Sequence, residues 1–123
     1  MQPQILELKT PWPLVNLEEE DGELVVSFHP EAFLWPAVED VGNTLLGLVN
    51  ETDGGQFILD FGYVDYLSGV GLEKLVVLNR KLQCHGRRLV IKNVGANLLK
   101  VFSIAGLTRD FAIYAPGTNR LAV

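Results

Sequence analysis

One cysteine, Cys84, and one methionine supply all the sulfur in this chain of 123 residues. A lone thiol cannot close an internal disulfide, so a covalent scaffold is excluded and a reducing compartment is the natural setting. Histidine is nearly as scarce. His29 and His85 lie far apart in sequence, and with Cys84 they make no metal-spaced cluster and no convincing nucleophile–base pair. No apolar run approaches the roughly 18 to 20 residues needed to cross a bilayer, so direct membrane insertion is not expected. Residues 1–13 hold one lysine and no continuous apolar stretch, which reads as an extended N-terminal segment and not a signal peptide. Basic residues are short as well: 10 Lys and Arg stand against 15 Asp and Glu, giving a net charge of −5. They are scattered, with only Arg80-Lys81 and Arg87-Arg88 adjacent, whereas a polyanion demands clustered cations. Nucleic acid is set aside as a partner, and a soluble cytoplasmic protein is expected.

What is present is a core. An apolar fraction of 48% in a chain of this length suits one ordinary domain that buries roughly two thirds of its unfolded surface. Acidic residues concentrate at Glu18, Glu19, Glu20, Asp21 and Glu23. The simplest account of them is a solvated hairpin tip, because Asp21-Gly22 is a pair that tight turns favour; no metal site is assigned.

Leu14 to Leu17 and Leu24 to Phe28 flank that turn as an antiparallel pair, with Leu24, Val26 and Phe28 on one face. Pro36 suits the first turn of a helix. Val38, Val41, Leu45, Leu48 and Val49 then make an apolar stripe, weakened by Gly42 and Gly47. After Asp53-Gly54-Gly55, the run from Phe57 to Phe61 suits a central strand covered on both faces. Val70 to Cys84 reads as the best helix. Leu72, Leu75, Val76 and Leu82 form its core stripe, Val77 and Leu78 widen it, and Cys84 is a small core filler. Glu73 in its first turn, Arg80, Lys81 and His85 near its end, and Gly86 after it match helix polarity and capping. Arg88 to Lys92 is a strand. Asn97 to Ala105 is a shorter helix with Leu98, Val101, Phe102 and Ala105 inward, closed by Gly106. Phe111 to Tyr114 is the last strand, and residues 115–123 form a tail. The order predicts an α/β domain over 14–114: a mixed sheet of four to five strands with an antiparallel edge and about three helices.

Three segments carry a resemblance. The first is Asp60-Phe61-Gly62-Tyr63-Val64-Asp65-Tyr66-Leu67-Ser68-Gly69-Val70-Gly71-Leu72, a strand end, loop and helix start. The second is Gly86-Arg87-Arg88-Leu89-Val90-Ile91-Lys92-Asn93-Val94, and the third is Leu99 to Thr108, with its Gly106-Leu107 pair. Their order and spacing resemble the STAS domain, the module of bacterial anti-sigma factor antagonists. In that family the loop usually reads Asp-Ser-Ser-Gly-Leu, and a partner kinase phosphorylates one serine to control binding. Here Tyr66, Leu67, Gly71 and Leu72 fit, but Ser68 stands for the Asp, Gly69 for the first Ser and Val70 for the second. Against the variant Ser-Ser-Ala-Gly-Leu, Ser68 is kept while Gly69 and Val70 differ. The serine usually modified is missing under either alignment. The Gly-x-Leu-Asp that follows the family's second strand is also replaced, by Phe28 to Trp35.

The resemblance implies a binding module with no cofactor and no catalytic residue. Its partner would be an anti-sigma factor of the serine-kinase type, its contact loop Ser68, Gly69, Val70, Gly71 and Leu72, and its remaining phosphorylation candidate Ser68. The plainer role for Ser68 is a helix N-cap. Asp60 reads as a turn or cap partner, Tyr63 and Asp65 as surface loop, and Gly71 as a close approach of helix to strand. Phe33, Leu34 and Trp35, between Pro30 and Pro36, either cover the sheet edge or anchor a partner. A STAS subunit of a lipid-transport ATPase is the alternative within the same fold. A small enzyme or nucleotide-binding protein is the alternative outside it, disfavoured because Gly69-Val70-Gly71 lacks a further phosphate-loop glycine. A homodimer is left open.

Overall fold

The computed structural model describes residues 14–20 and 23–117. The expected turn at Asp21-Gly22, the segment 1–13 and the tail beyond 117 lie outside the described residues.

Alternation of short apolar runs with amphipathic helices gives the order β1 (Val15–Glu20), β2 (Glu23–Phe28), α1 (Ala37–Glu51), β3 (Gln56–Asp60), α2 (Gly69–Cys84), β4 (Arg88–Lys92), α3 (Ala96–Ile104) and β5 (Ala112–Ile113). The five strands lie side by side in chain order. β1 pairs antiparallel with β2, and the pairs β2–β3, β3–β4 and β4–β5 are parallel, each reached through one helix. This is the expected mixed α/β sheet. β1 runs further than expected, because Glu18, Glu19 and Glu20 continue the ladder opposite Val25, Leu24 and Glu23. A charged edge strand needs only its backbone for pairing and discourages further strands from adding.

β3 is central and buried on both faces, as a continuous apolar run requires. Phe57, Leu59 and Phe61 join the main core with residues of all three helices. Ile58 joins Val25, Val90 and Ala112 on the other face, with Tyr114 packed against them. β2 is two-sided in the same way: Val26 and Phe28 are fully buried in the main core, Val25 is buried on the opposite face, and Leu24 is half-buried.

Helix α1 buries Val38, Val41, Leu45, Leu48 and Val49, the stripe expected of it. Gly42 has a packing reason. A Cβ there would lie 2.7 Å from Lys74 Cδ, because the Lys74 side chain crosses α1 to reach Glu39 at 3.0 Å. In α2 the buried line is Gly71, Leu75, Leu78, Asn79 and Leu82. Leu72 and Val76 are half-buried, Val77 faces solvent, Cys84 is exposed, and Glu73 lies beyond the first turn. The core-filler reading of Cys84 therefore fails, since the helix turns its last residue outward. Ala105 is exposed too, because α3 has already ended at Ile104.

Both later helices stop in the same way. Gly86 (φ 67°) donates to Gln83 O while Arg87 N donates to Leu82 O; Gly106 (φ 74°) donates to Ser103 O while Leu107 N donates to Phe102 O. These paired bonds satisfy the last carbonyls, and the left-handed turn residue is glycine in each case. The Arg87 guanidinium then reaches the carbonyls of Val49 (3.3 Å), Thr52 (3.1 Å), Asp53 (3.4 Å) and Gln56 (3.3 Å), and stacks over Phe57. Burial lowers its pKa from the ordinary arginine value, and Asp53 partly offsets this. Arg87 ties the end of α1 to the start of β3.

Candidate functional site

The parallel strands end together, and the loop after β3 is held from two sides. Asp60 Oδ1 accepts from Gly62 N at 2.8 Å and from Asn93 Nδ2 at 2.9 Å. Asn93, at the end of β4, has φ 59°, a backbone state that asparagine tolerates better than most residues. Its Oδ1 accepts from Gly117 N at 3.1 Å, which ties down the chain after β5 as well. Asp60 is thus a turn partner, as expected. The Asp60–Asn93 link was not foreseen; the signal for it is that both follow apolar strand runs that pair in parallel, Asp60 opposite Lys92.

Along the loop, apolar side chains turn in and polar ones turn out. Phe61, Val64 and Leu67 are buried, whereas Tyr63, Asp65 and Tyr66 are exposed. Val64 N donates to Phe61 O at 3.0 Å, which closes a turn. A shallow hollow of about 140 Å³ beside it is lined by Val64, Asp65 and the 95–98 segment, so the loop borders the start of α3.

Ser68 is the N-cap of α2. Its backbone is extended (φ −77°, ψ 171°), its carbonyl accepts from Leu72 N at 2.9 Å, and its Oγ accepts from Gly71 N at 3.2 Å. This geometry satisfies one of the four N–H groups that a helix start leaves open. Gly71 is needed for closeness, but to the loop and not to a strand: a Cβ there would lie 2.7 Å from Leu67 Cδ1 and 3.7 Å from Phe33 Cδ1. Gly69 has nothing within 4 Å of its Cβ position.

Phe33 does not share the fate of its neighbours. It is buried and packs edge-on to Phe28 (centroids 4.9 Å) and tilted against Phe61 (5.2 Å), so it is a core residue and not a surface anchor. Leu34 and Trp35 are exposed, Trp35 to 75%. The Phe33 contact brings this turn against the first turn of α2. On α2 itself Val70 and Val77 face solvent seven residues apart, two turns or about 10 Å along the axis. Tyr66 on the loop, Val70 and Val77 on α2, and Leu34 and Trp35 on the turn before α1 are thus exposed large apolar side chains. Large exposed apolar surface points to an interaction site.

Among the described residues no group of three His, Cys, Asp or Glu side chains could hold a metal, and no helix is long and apolar enough to cross a membrane.

Five strands in this order, with three helices between them and a capped loop–helix after the central strand, define a small mixed α/β domain. The chain belongs to the STAS domain family, whose model matches residues 15–116. Its fold is similar to that of an anti-sigma-factor antagonist (STAS) domain protein from Planctomyces limnophilus, with a TM-score of 0.72 and 15% identity over 82% of this chain and 89% of that one. It is also similar to a structure described as an anti-sigma factor antagonist of Thermotoga maritima, with a TM-score of 0.69 and 16% identity over 84% and 87%. No curated protein matches the sequence.

Proposed function

We propose that this chain is a cytoplasmic, non-catalytic regulator that binds an anti-sigma factor of the serine-kinase type through Ser68–Leu72, with Leu34 and Trp35 as flanking anchors. The observation that carries this reading is the exposed apolar side chains around the capped start of α2. Trp, Tyr and branched aliphatic side chains set around a rigid helix start supply contact area at low entropic cost.

The switch is altered. A phosphoserine adds −1.5 to −2 charges and acceptor oxygens beside the helix N-terminus, which the helix dipole tolerates and an apolar partner surface does not. Gly69 and Val70 have no hydroxyl to modify. Ser68 has one, but its Oγ is half-buried and engaged with Gly71 N. The protein therefore binds its partner without being released at the usual position.

The test is affinity capture of the tagged chain from its own cells, with partners and phosphosites read by mass spectrometry. Recovery of a kinase-type anti-sigma factor, lost in Trp35→Ala and Val70→Glu variants, supports the proposal. Recovery of a transport ATPase subunit with no kinase overturns it in favour of the lipid-transport reading.

A further inference from the structure

The helices cover one face of the sheet only. Buried residues of α1, α2 and α3 all join the core on the side of Phe57, Leu59, Leu89 and Ile91. On the opposite side Val25 pairs with Ile58, Ile58 with Val90 and Val90 with Ala112, so these four form one apolar row across β2 to β5. Each is 1–3% exposed. Yet among the described residues Tyr114 is the one other apolar side chain packed against them. Pairing within a sheet leaves outward side chains open to water, so burial this complete needs a covering layer.

Burial is graded along the strands. Ser27, Asp60, Lys92 and Tyr114, the next row toward the loop end of the sheet, are half-buried. Gln56 and Arg88, on the other side of the apolar row, are exposed, and so are Asn16 and Glu18 on the β1 edge. The cover therefore comes over the loop end of the sheet and not across β1. Leu14 enters at that end: its carbonyl accepts from His29 N at 3.0 Å, one step beyond the Val15–Phe28 pair.

From this we infer that the back of the sheet is a docking face for the chain's own residues 1–13. In an extended segment, alternation puts Leu6, Leu8 and Trp12 on one side and Glu7 and Lys9 on the other. Leu6 to Trp12 then spans about 20 Å, at roughly 3.3 Å per residue, and the apolar row spans about 14 Å, or three strand spacings. Pro11 and Pro13 have no N–H to give a ladder, so the segment leaves β1 instead of lengthening it. Residues 118–123 offer Leu121 and Val123 alone as large apolar side chains, too few for a row across four strands. Asp60, whose carboxylate holds the loop after β3, lies in the half-buried row, so the docked segment backs that loop from behind.

The experiment is methyl NMR of the full chain. Nuclear Overhauser contacts are expected from the methyls of Val25, Ile58 and Val90 to the side chains of Leu6, Leu8 or Trp12. A gadolinium chelate added to the solution leaves those three residues' methyls as sharp as those of Leu59 and Ile91 in the main core. In the Leu6→Asp, Leu8→Asp double variant the chelate broadens Val25, Ile58 and Val90 but not Leu59 and Ile91. The melting temperature of that variant falls by about 5 °C or more, while Glu7→Gln and Lys9→Gln change neither reading. Contacts from the row to residues 118–123, or to a second copy in a mixed-label sample, overturn the proposal. So do row methyls that the chelate already broadens in the parent protein, and so does a double variant whose row stays protected.

Discussion

Replacing Ser68 by alanine isolates the capping role of that residue from any signalling role. The Oγ accepts one bond, from Gly71 N at 3.2 Å, in a half-buried setting beside Leu67 and Phe33. Loss of an N-cap side chain costs about 1 kcal/mol, with a range of roughly 0.5–2. For a domain of this size that lowers the melting temperature by about 3–6 °C. The urea midpoint falls while the slope stays constant, because the surface exposed on unfolding is unchanged. Ser68→Asp keeps an acceptor at the same place and puts negative charge at the helix start, where α2 has no acidic residue in its first turn. It is expected to match or slightly exceed the parent protein, by about 0.3–1 kcal/mol at low salt. Equal urea midpoints for the parent and Ser68→Ala would refute the cap argument. So would an aspartate variant as unstable as the alanine one. If Ser68→Asp is fully stable but no longer binds the captured partner, the negative charge acts on the interface and not on the fold.

Gly69→Ser restores a hydroxyl in the first turn. Its Cβ meets nothing within 4 Å, so the variant should be as stable as the parent or better by a few tenths of a kcal/mol, and phosphate transfer by a serine kinase should be detectable by mass spectrometry. Gly71→Ala drives a methyl against Leu67 and should cost about 1–3 kcal/mol in urea unfolding; a neutral result would mean that Leu67 moves freely. Trp35→Ala should change stability by less than about 0.5 kcal/mol but weaken partner binding by about 2 kcal/mol or more in calorimetry. Phe33→Ala should do the reverse, costing about 3–5 kcal/mol of stability, since it removes a ring from the cluster with Phe28 and Phe61.

Periodicity and breakers alone were enough to define the order of elements, because each is a local property. The spacing of Val38 through Val49 puts them on one face of a helix, and the short apolar run from Phe57 to Phe61 suits a strand covered on both sides. Gly86 and Gly106 marked helix ends because only glycine enters the left-handed region without penalty. The loop motif, the cap at Ser68 and the Asp60 turn were legible for the same reason: their partners lie within three residues. Tertiary structure decided everything that depends on which side of an element meets another. Phe33 and Trp35 are two positions apart and chemically alike, yet one joins the core and the other faces solvent, because β2 and β3 present Phe28 and Phe61 to only one of them. Val77 and Cys84 face outward although they extend the apolar surface of α2, since the core covers only the flank of Gly71, Leu75, Leu78 and Leu82. Asn93 meets Asp60 across 33 positions. Such meetings follow from the packing of whole layers, and a reading of sequence neighbours has no access to them.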